Sequence, residues 1–165
     1  MYRLWFTFII TLFSCFHSMT ATTHDKPFFF QHLTMEDGLS NNHVSAIFQS
    51  KDGIFWLGTQ KGLNCYDGHN FRLYKKRDSS TANSIRGNGI KKILQDRDNN
   101  IWVQHEKGTD EINYITRNVR HGWAHDSIGK SVIDICTDYN QQLLILCDQE
   151  VWQYIKPSRS YKRLF

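Results

Sequence analysis

One segment occurs three times in this chain, and that repetition constrains the fold more than any other feature. The copies read HVSAIFQSKDGIFWLGTQKGLNCYDG from His43, GIKKILQDRDNNIWVQHEKGTDEIN from Gly89 and SVIDICTDYNQQLLILCDQEVWQYI from Ser131. Val44, Ile90 and Val132 fall together, as do Ile47, Ile93 and Ile135. Trp56 aligns with Trp102, and Leu144 takes that place in the third copy, giving separations of 46 and 42 residues. A period of roughly 40–50 residues is that of four-stranded propeller blades.

Turn residues interrupt the apolar runs too often for helices, so each copy reads as short strands. In the first copy the spacing predicts strands over residues 44–49, 54–59, 63–66 and 71–75. The turns between them fall at Lys51, Asp52 and Gly53, at Lys61 and Gly62, and at Asp67 and Gly68. Asp-Gly pairs favour hairpins because such turns need a residue that tolerates positive φ. The strands do not alternate between apolar and polar residues: Ile54, Phe55, Trp56 and Leu57 form an unbroken apolar run. A sheet with one wet face alternates, whereas a blade packed between two neighbours buries both faces. Trp56 and its equivalents are therefore interblade core. The expected architecture is all-β, an open partial propeller of about three four-stranded antiparallel blades. Blade 1 spans residues 43–88, blade 2 residues 89–130 and blade 3 residues 131–165. Residues 28–42 form a lone outer strand, Phe28 to Leu33, and a loop. Ser160 to Phe165 form the outer strand of blade 3.

At the amino terminus, Arg3, an apolar stretch from Leu4 to Phe16 and small polar residues through Ala21 have the form of a signal peptide helix over residues 1–21. The stretch is too short to span a bilayer, which takes roughly 20 residues, and no later segment approaches that length. The expected location is periplasmic or secreted. Leu12, Phe13, Ser14 and Cys15 have the outline of a lipoprotein box, but the bulky Phe13 and the short preceding segment argue against a lipid anchor at Cys15. Cleavage near Ala21 leaves Cys65, Cys136 and Cys147, an odd number. A hairpin turning at Tyr139 and Asn140 puts Cys136 opposite a residue near Leu143, which is the wrong register for a bridge to Cys147. Buried or half-buried free cysteines are expected. The net charge of +4, with no basic run longer than Lys75, Lys76 and Arg77, gives no footprint for nucleic acid.

Little in the chain is arranged for chemistry. Of eight histidines, His43, His69, His105, His121 and His125 show no metal-ligand spacing with Cys or carboxylate. Gly122 makes a shared helical face for His121 and His125 a poor reading, and a solvated loop is expected there. Glu36 with Asp37 and Asp96 with Asp98 could be imagined as an acid and base pair for glycoside hydrolysis. Their Asn and Gly neighbours mark them as turn formers instead. No catalytic, cofactor-binding or metal-binding residue is assigned, and no enzyme activity is expected. Trp123, in the less regular connection 120–130, is the one large aromatic that the repeat leaves unexplained. It reads as a loop packing residue, with sugar stacking as the alternative.

The run FQHLTMEDGLSNNHVSAIFQSKDGIFWLGTQKGLNCYDGHNF, and in particular Trp56, Gly58, Thr59, Gly62, Leu63, Tyr66, Asp67 and Gly68, resembles the two-component regulator propeller repeat. That family forms the periplasmic sensor region of Bacteroidetes hybrid two-component systems. The later copies depart from its pattern: Gln104, His105 and Thr109 replace Gly58, Thr59 and Leu63, while Leu144 and Glu150 replace the tryptophan and a turn glycine. Cys65 stands where the family often has a basic residue. The resemblance implies glycan sensing for signal transduction, with an oligosaccharide as ligand. Full members continue through further blades, an immunoglobulin-like spacer, a membrane helix, a histidine kinase core, a receiver and a DNA-binding module. The chain is accordingly expected to be an amino-terminal fragment, not competent to signal alone, that needs the missing blades or another chain to cover its open edges. The competing readings are a secreted binding or scaffold module that oligomerises, and a hydrolase or lyase on a propeller scaffold.

Overall fold

The computed structural model describes residues 30–77, 83–124 and 130–165, with Trp123 and Ala124 by backbone alone. The signal peptide assigned to residues 1–21, Cys15, Phe28 and His125 lie outside the described residues. Met1–His32 and Leu33–Phe165 are separate compact units, and every described strand belongs to the second. No helix among the described residues is long and apolar enough to cross a membrane.

Twelve strands form three antiparallel sheets, each a meander in chain order. Blade 1 comprises β1 (Val44–Gln49), β2 (Phe55–Thr59), β3 (Gly62–Tyr66) and β4 (Phe71–Tyr74). Blade 2 comprises β5 (Ile90–Gln95), β6 (Ile101–His105), β7 (Gly108–Ile112) and β8 (Val119–Ala124). Blade 3 comprises β9 (Val132–Thr137), β10 (Leu143–Cys147), β11 (Glu150–Ile155) and β12 (Ser160–Arg163). Among the described residues no sheet closes on itself, and the described strands form an open stack of three blades.

The turns explain where the strands stop. After β1, β5 and β9 one residue adopts positive φ: Gly53 at 83°, Asn99 at 65° and Gln141 at 57°. These positions are 46 and 42 residues apart, so the turn survives in the later blades although its glycine does not. Asn tolerates the left-handed region because its short amide bonds locally, and Gln bears a modest cost.

Two apolar seams hold the stack together. In the first, Trp56, Leu63, Cys65 and Tyr74 of blade 1 pack on Ile90, Ile93, Ile101 and Ile112 of blade 2. The second joins Trp102 of blade 2 to Ile135, Leu143, Ile145, Cys147 and Tyr154 of blade 3. Blade 2 therefore buries both faces: every residue of β6 and β7 is buried. Among the described residues no sheet covers the outer face of blade 1. Ile47 is 68% exposed, whereas its equivalent Ile93 is 7% exposed beneath blade 1.

Gly58 fixes the spacing of the first seam. A Cβ there would lie 2.5 Å from Cγ2 of Ile90, so any larger residue pushes the blades apart. At the equivalent place in the second seam, Gln104 donates its side-chain amide to the carbonyl of Ile133 at 3.0 Å. The loss of glycine between copies is thus a change of seam, from bare contact to a hydrogen-bonded strut.

Three expectations need correction. The connection 120–130 is not a loop at its start, because β8 runs over Val119–Ala124 and pairs with β7. Gly122 conceals it in the sequence, yet that glycine belongs in the strand: a Cβ there would lie 2.9 Å from the Trp102 ring. Residues 30–33, the described part of the expected strand Phe28 to Leu33, are not in a strand. Cys136 is exposed rather than buried, while Cys65 and Cys147 are buried. Cys136 sits opposite Leu144 and Cys147 opposite Val132, and all three are free thiols.

Replacing Gly58 by valine is expected to lower the unfolding free energy by about 1–3 kcal/mol, the cost of overpacking a filled core. Urea denaturation checks this, and the same substitution at Gly53, where a Cβ meets nothing within 4 Å, separates seam spacing from turn strain.

Candidate functional site

In a meander blade, the turns after the first and third strands lie at one end and the remaining connections at the other. The second end of blade 2 carries the densest polar cluster among the described residues. Its centre is Asp110 on β7, fully buried. Its Oδ2 accepts from the Arg86 backbone N–H at 2.8 Å and bonds the His105 Nε2 at 2.9 Å. Its Oδ1 accepts from Arg86 Nε at 3.2 Å and bonds His121 Nδ1 at 3.0 Å. Arg86 also donates Nη2 to the carbonyls of Thr109 at 2.7 Å and Gly122 at 3.0 Å. Next to this, Glu106 accepts from the backbone N–H groups of Asn88 and Gly89 at 3.2 and 2.9 Å.

The His105 tautomer follows from its neighbours. Nδ1 accepts from the Lys107 N–H at 3.1 Å, so Nε2 carries the hydrogen that Asp110 accepts. Burial works to raise the Asp110 pKa, but His105 and Arg86 outweigh it and hold the carboxyl below its ordinary value. With both oxygens occupied by donors, Asp110 is a pin for the loop 85–89 and has no free lone pair directed at a substrate.

Blade 1 has the same node in neutral form. Forty-six residues upstream of Arg86, His105 and Asp110 stand Ser40, Thr59 and Asn64. Asn64 Oδ1 accepts from the Ser40 N–H at 3.0 Å, and the Ser40 and Thr59 hydroxyls are 2.8 Å apart. The replacement of Thr59 by His105, a departure from the repeat in the sequence, is one part of an exchange of a neutral node for a charged one. Nothing in the linear pattern pairs Arg86 with Asp110, because they lie on a loop and a strand 24 residues apart.

The other candidate residues separate. His43 and His69 are exposed, in turns set by Asn41 and Asp67. Glu36 and Asp37 belong to a 3-10 turn, Met35–Asp37, capped by Thr34. Asp96 takes the N–H groups of Asp98 and Asn100, each at 2.9 Å, and the Trp102 indole N–H at 3.0 Å. That is turn chemistry, and Ser50 accepts from Trp56 in the same way at 3.2 Å. Among the described residues no group of three His, Cys, Asp or Glu is placed to hold a metal ion. The side chain of Trp123 lies outside the described residues. Burial pushes the Cys147 thiol up to about 11 and raises that of Cys65, so neither is an activated nucleophile at neutral pH.

Comparison with known proteins places this geometry. The profile described as "Two component regulator propeller" matches residues 38–61, from the loop that packs on blade 1 through the turn after β2. The chain carries the two-component regulator propeller repeat. Over 68 residues, 41% of this chain, it is 41% identical to histidine kinase P4 of Formosa agariphila. The crystallised extracellular domain of the hybrid two-component system BT3049 from B. thetaiotaomicron superimposes on 82% of this chain with a TM-score of 0.68 at 28% identity. The chain spans 5% of the length of the kinase and 20% of that extracellular domain. The matched stretch contains Ser40, Gly58 and Thr59 but stops before Asn64, and it does not extend to the charged node of blade 2.

Asp110→Asn should destabilise the fold by about 3 kcal/mol, because it leaves Arg86 facing a neutral amide in a buried site. A carboxyl with a depressed folded pKa contributes stability that is fully present above its unfolded value and is lost as pH falls through the folded value. The wild type should therefore lose stability below its ordinary pKa of 3.8 more steeply than Asp110→Asn. Denaturation midpoints between neutral pH and that region check it, and equal slopes would remove Asp110 as the pin.

Proposed function

We propose that this chain is part of the periplasmic sensor region of a hybrid two-component system, and that the region recognises an oligosaccharide and passes the signal to a histidine kinase elsewhere in the sensor. The likeness to the BT3049 extracellular domain over 82% of the chain carries the reading, and the resemblance of the first repeat to family sensors supports the ligand class. In this reading the three blades supply a rigid sector of a larger propeller and perform no reaction. The end formed by the loops 38–43 and 85–89 is its ligand-facing side, since pinned loops present polar groups without further ordering cost.

The exposed outer face of blade 1 favours a second reading. Val44 and Ile47 are 40% and 68% exposed, where Ile90 and Ile93 of blade 2 are 0% and 7%. Apolar faces of this kind are stable when covered. Further blades of one polypeptide or neighbouring copies of this chain would each cover it, and the copies would form a secreted scaffold.

Two measurements separate the readings. Calorimetric titration of the sensor containing this chain with a panel of neutral and acidic oligosaccharides should give saturable binding that Ile47→Asp abolishes, because the substitution charges the covered face. A panel with no binder at millimolar concentration contradicts the sensor reading. Light scattering of the secreted chain by itself supports the scaffold if it shows a discrete oligomer and contradicts it if the chain is a monomer.

A further inference from the structure

The two interblade seams are repeats of one another, yet they are closed differently at the end carrying the turns after the first and third strands. In the first seam, Arg117 comes from the turn after β7 and fills the mouth. Its guanidinium lies 5.7 Å from the centre of the Trp56 ring and 5.3 Å from that of Tyr114. Its Nη2 donates to Asp52 of blade 1 at 3.0 Å. A planar cation is thus stacked on aromatic surface and paired with a turn carboxylate, the two contacts that suit guanidinium best.

In the second seam the residue equivalent to Arg117 is Arg159, which stands beside a neighbouring hollow with Glu111 and Arg120. The acid equivalent to Asp52 is Asp98, and Lys156 reaches it at 2.6 Å. Lys156 leaves the mouth of this seam open, and a cavity of 340 Å³ lies there. Leu143 and Tyr154 form its apolar floor; Asp96, Asp98 and Lys156 line the wall, with the exposed Arg97 at the rim. Asp96 stands where the first seam has Ser50, but its oxygens are taken by Asp98, Asn100 and Trp102, so Asp98 is the carboxylate that this seam offers. Lys156 lies 4.0 Å from Asp96 as well, and is the cation that an incoming group must displace.

We infer that the second seam is a binding site for a guanidinium group, the side chain of an arginine in a peptide or protein partner, paired with the turn acid Asp98 as Arg117 is paired with Asp52 in the first seam. Tyr154 is its aromatic contact, because Trp102 is buried and Lys156 stands at the place of Tyr114. The occupant's chemistry comes from the molecule itself: one copy of the site is filled from within by Arg117, and the other is open. The guanidinium would sit against Tyr154 and pair with Asp98, with Lys156 swung into solvent. This site lies at the opposite end of the blades from the pinned loops and does not depend on the saccharide reading.

The test is calorimetric titration with N-acetyl-arginine amide, whose only charge is the guanidinium, against N-acetyl-glutamine amide as the uncharged control. One site per chain is expected for the arginine probe and none for the control. Asp98→Asn should weaken binding about tenfold, as loss of a charge-assisted pair does. Lys156→Ala should strengthen it about threefold by removing an exposed competitor of modest worth. Arg117→Ala should open the first seam and raise the stoichiometry to two. Should that variant unfold, the wild-type amide resonances of Leu143 and Tyr154 must still shift on titration. Equal binding of the control, indifference to Asp98→Asn, or the absence of any shift at Leu143 and Tyr154 would overturn the inference.

Discussion

Everything in this structure depends on the burial of one sheet face by the next. A single four-stranded meander has two apolar faces and no interior of its own, so Trp56, Leu63 and Tyr74 become core only when Ile90, Ile93 and Ile101 cover them. At about 25 cal/mol per Å² of apolar surface removed from water, that stacking is the dominant favourable contribution, and its effect grades with position. Blade 2 is covered on both sides, whereas β1 has no buried residue. The stack is quasi-one-dimensional, as expected of repeats that touch only their neighbours.

Polar groups then fix how the faces meet. The hydroxyl of Ser45 donates to the Ile90 carbonyl at 2.6 Å across the first seam, and Lys92 pairs with Asp134 at 2.8 Å across the second. The latter pair is half exposed and contributes little by itself. Directional bonds of this kind specify register between blades, while the apolar faces supply the driving force. The charged node around Asp110 serves the same purpose within blade 2, holding a loop and the turn at Glu106 against the sheet.

The blades were legible in the sequence because strand and turn chemistry are local. Asp-Gly turns and apolar runs located β1 to β4 to within a residue or so. The candidate site was far less legible. Arg86 of the loop 85–89, His105 of β6 and His121 of β8 meet only around Asp110 of β7, and β8 was hidden because its glycine and its histidine break the apolar pattern. The meaning of a substitution was hidden for the same reason. Gln104 in place of Gly58 reads only as a departure from the repeat until the carbonyl of Ile133 is seen opposite it.

Hydrogen exchange resolved by residue tests the central claim that interblade burial sets stability. The amides of β6 and β7, which are buried throughout, should exchange slowest and near the limit of global unfolding. Those of β1 and β12, which lie at the uncovered faces and edges, should exchange orders of magnitude faster. Uniform protection across all three blades would show that each sheet is stable by itself, and would contradict the account.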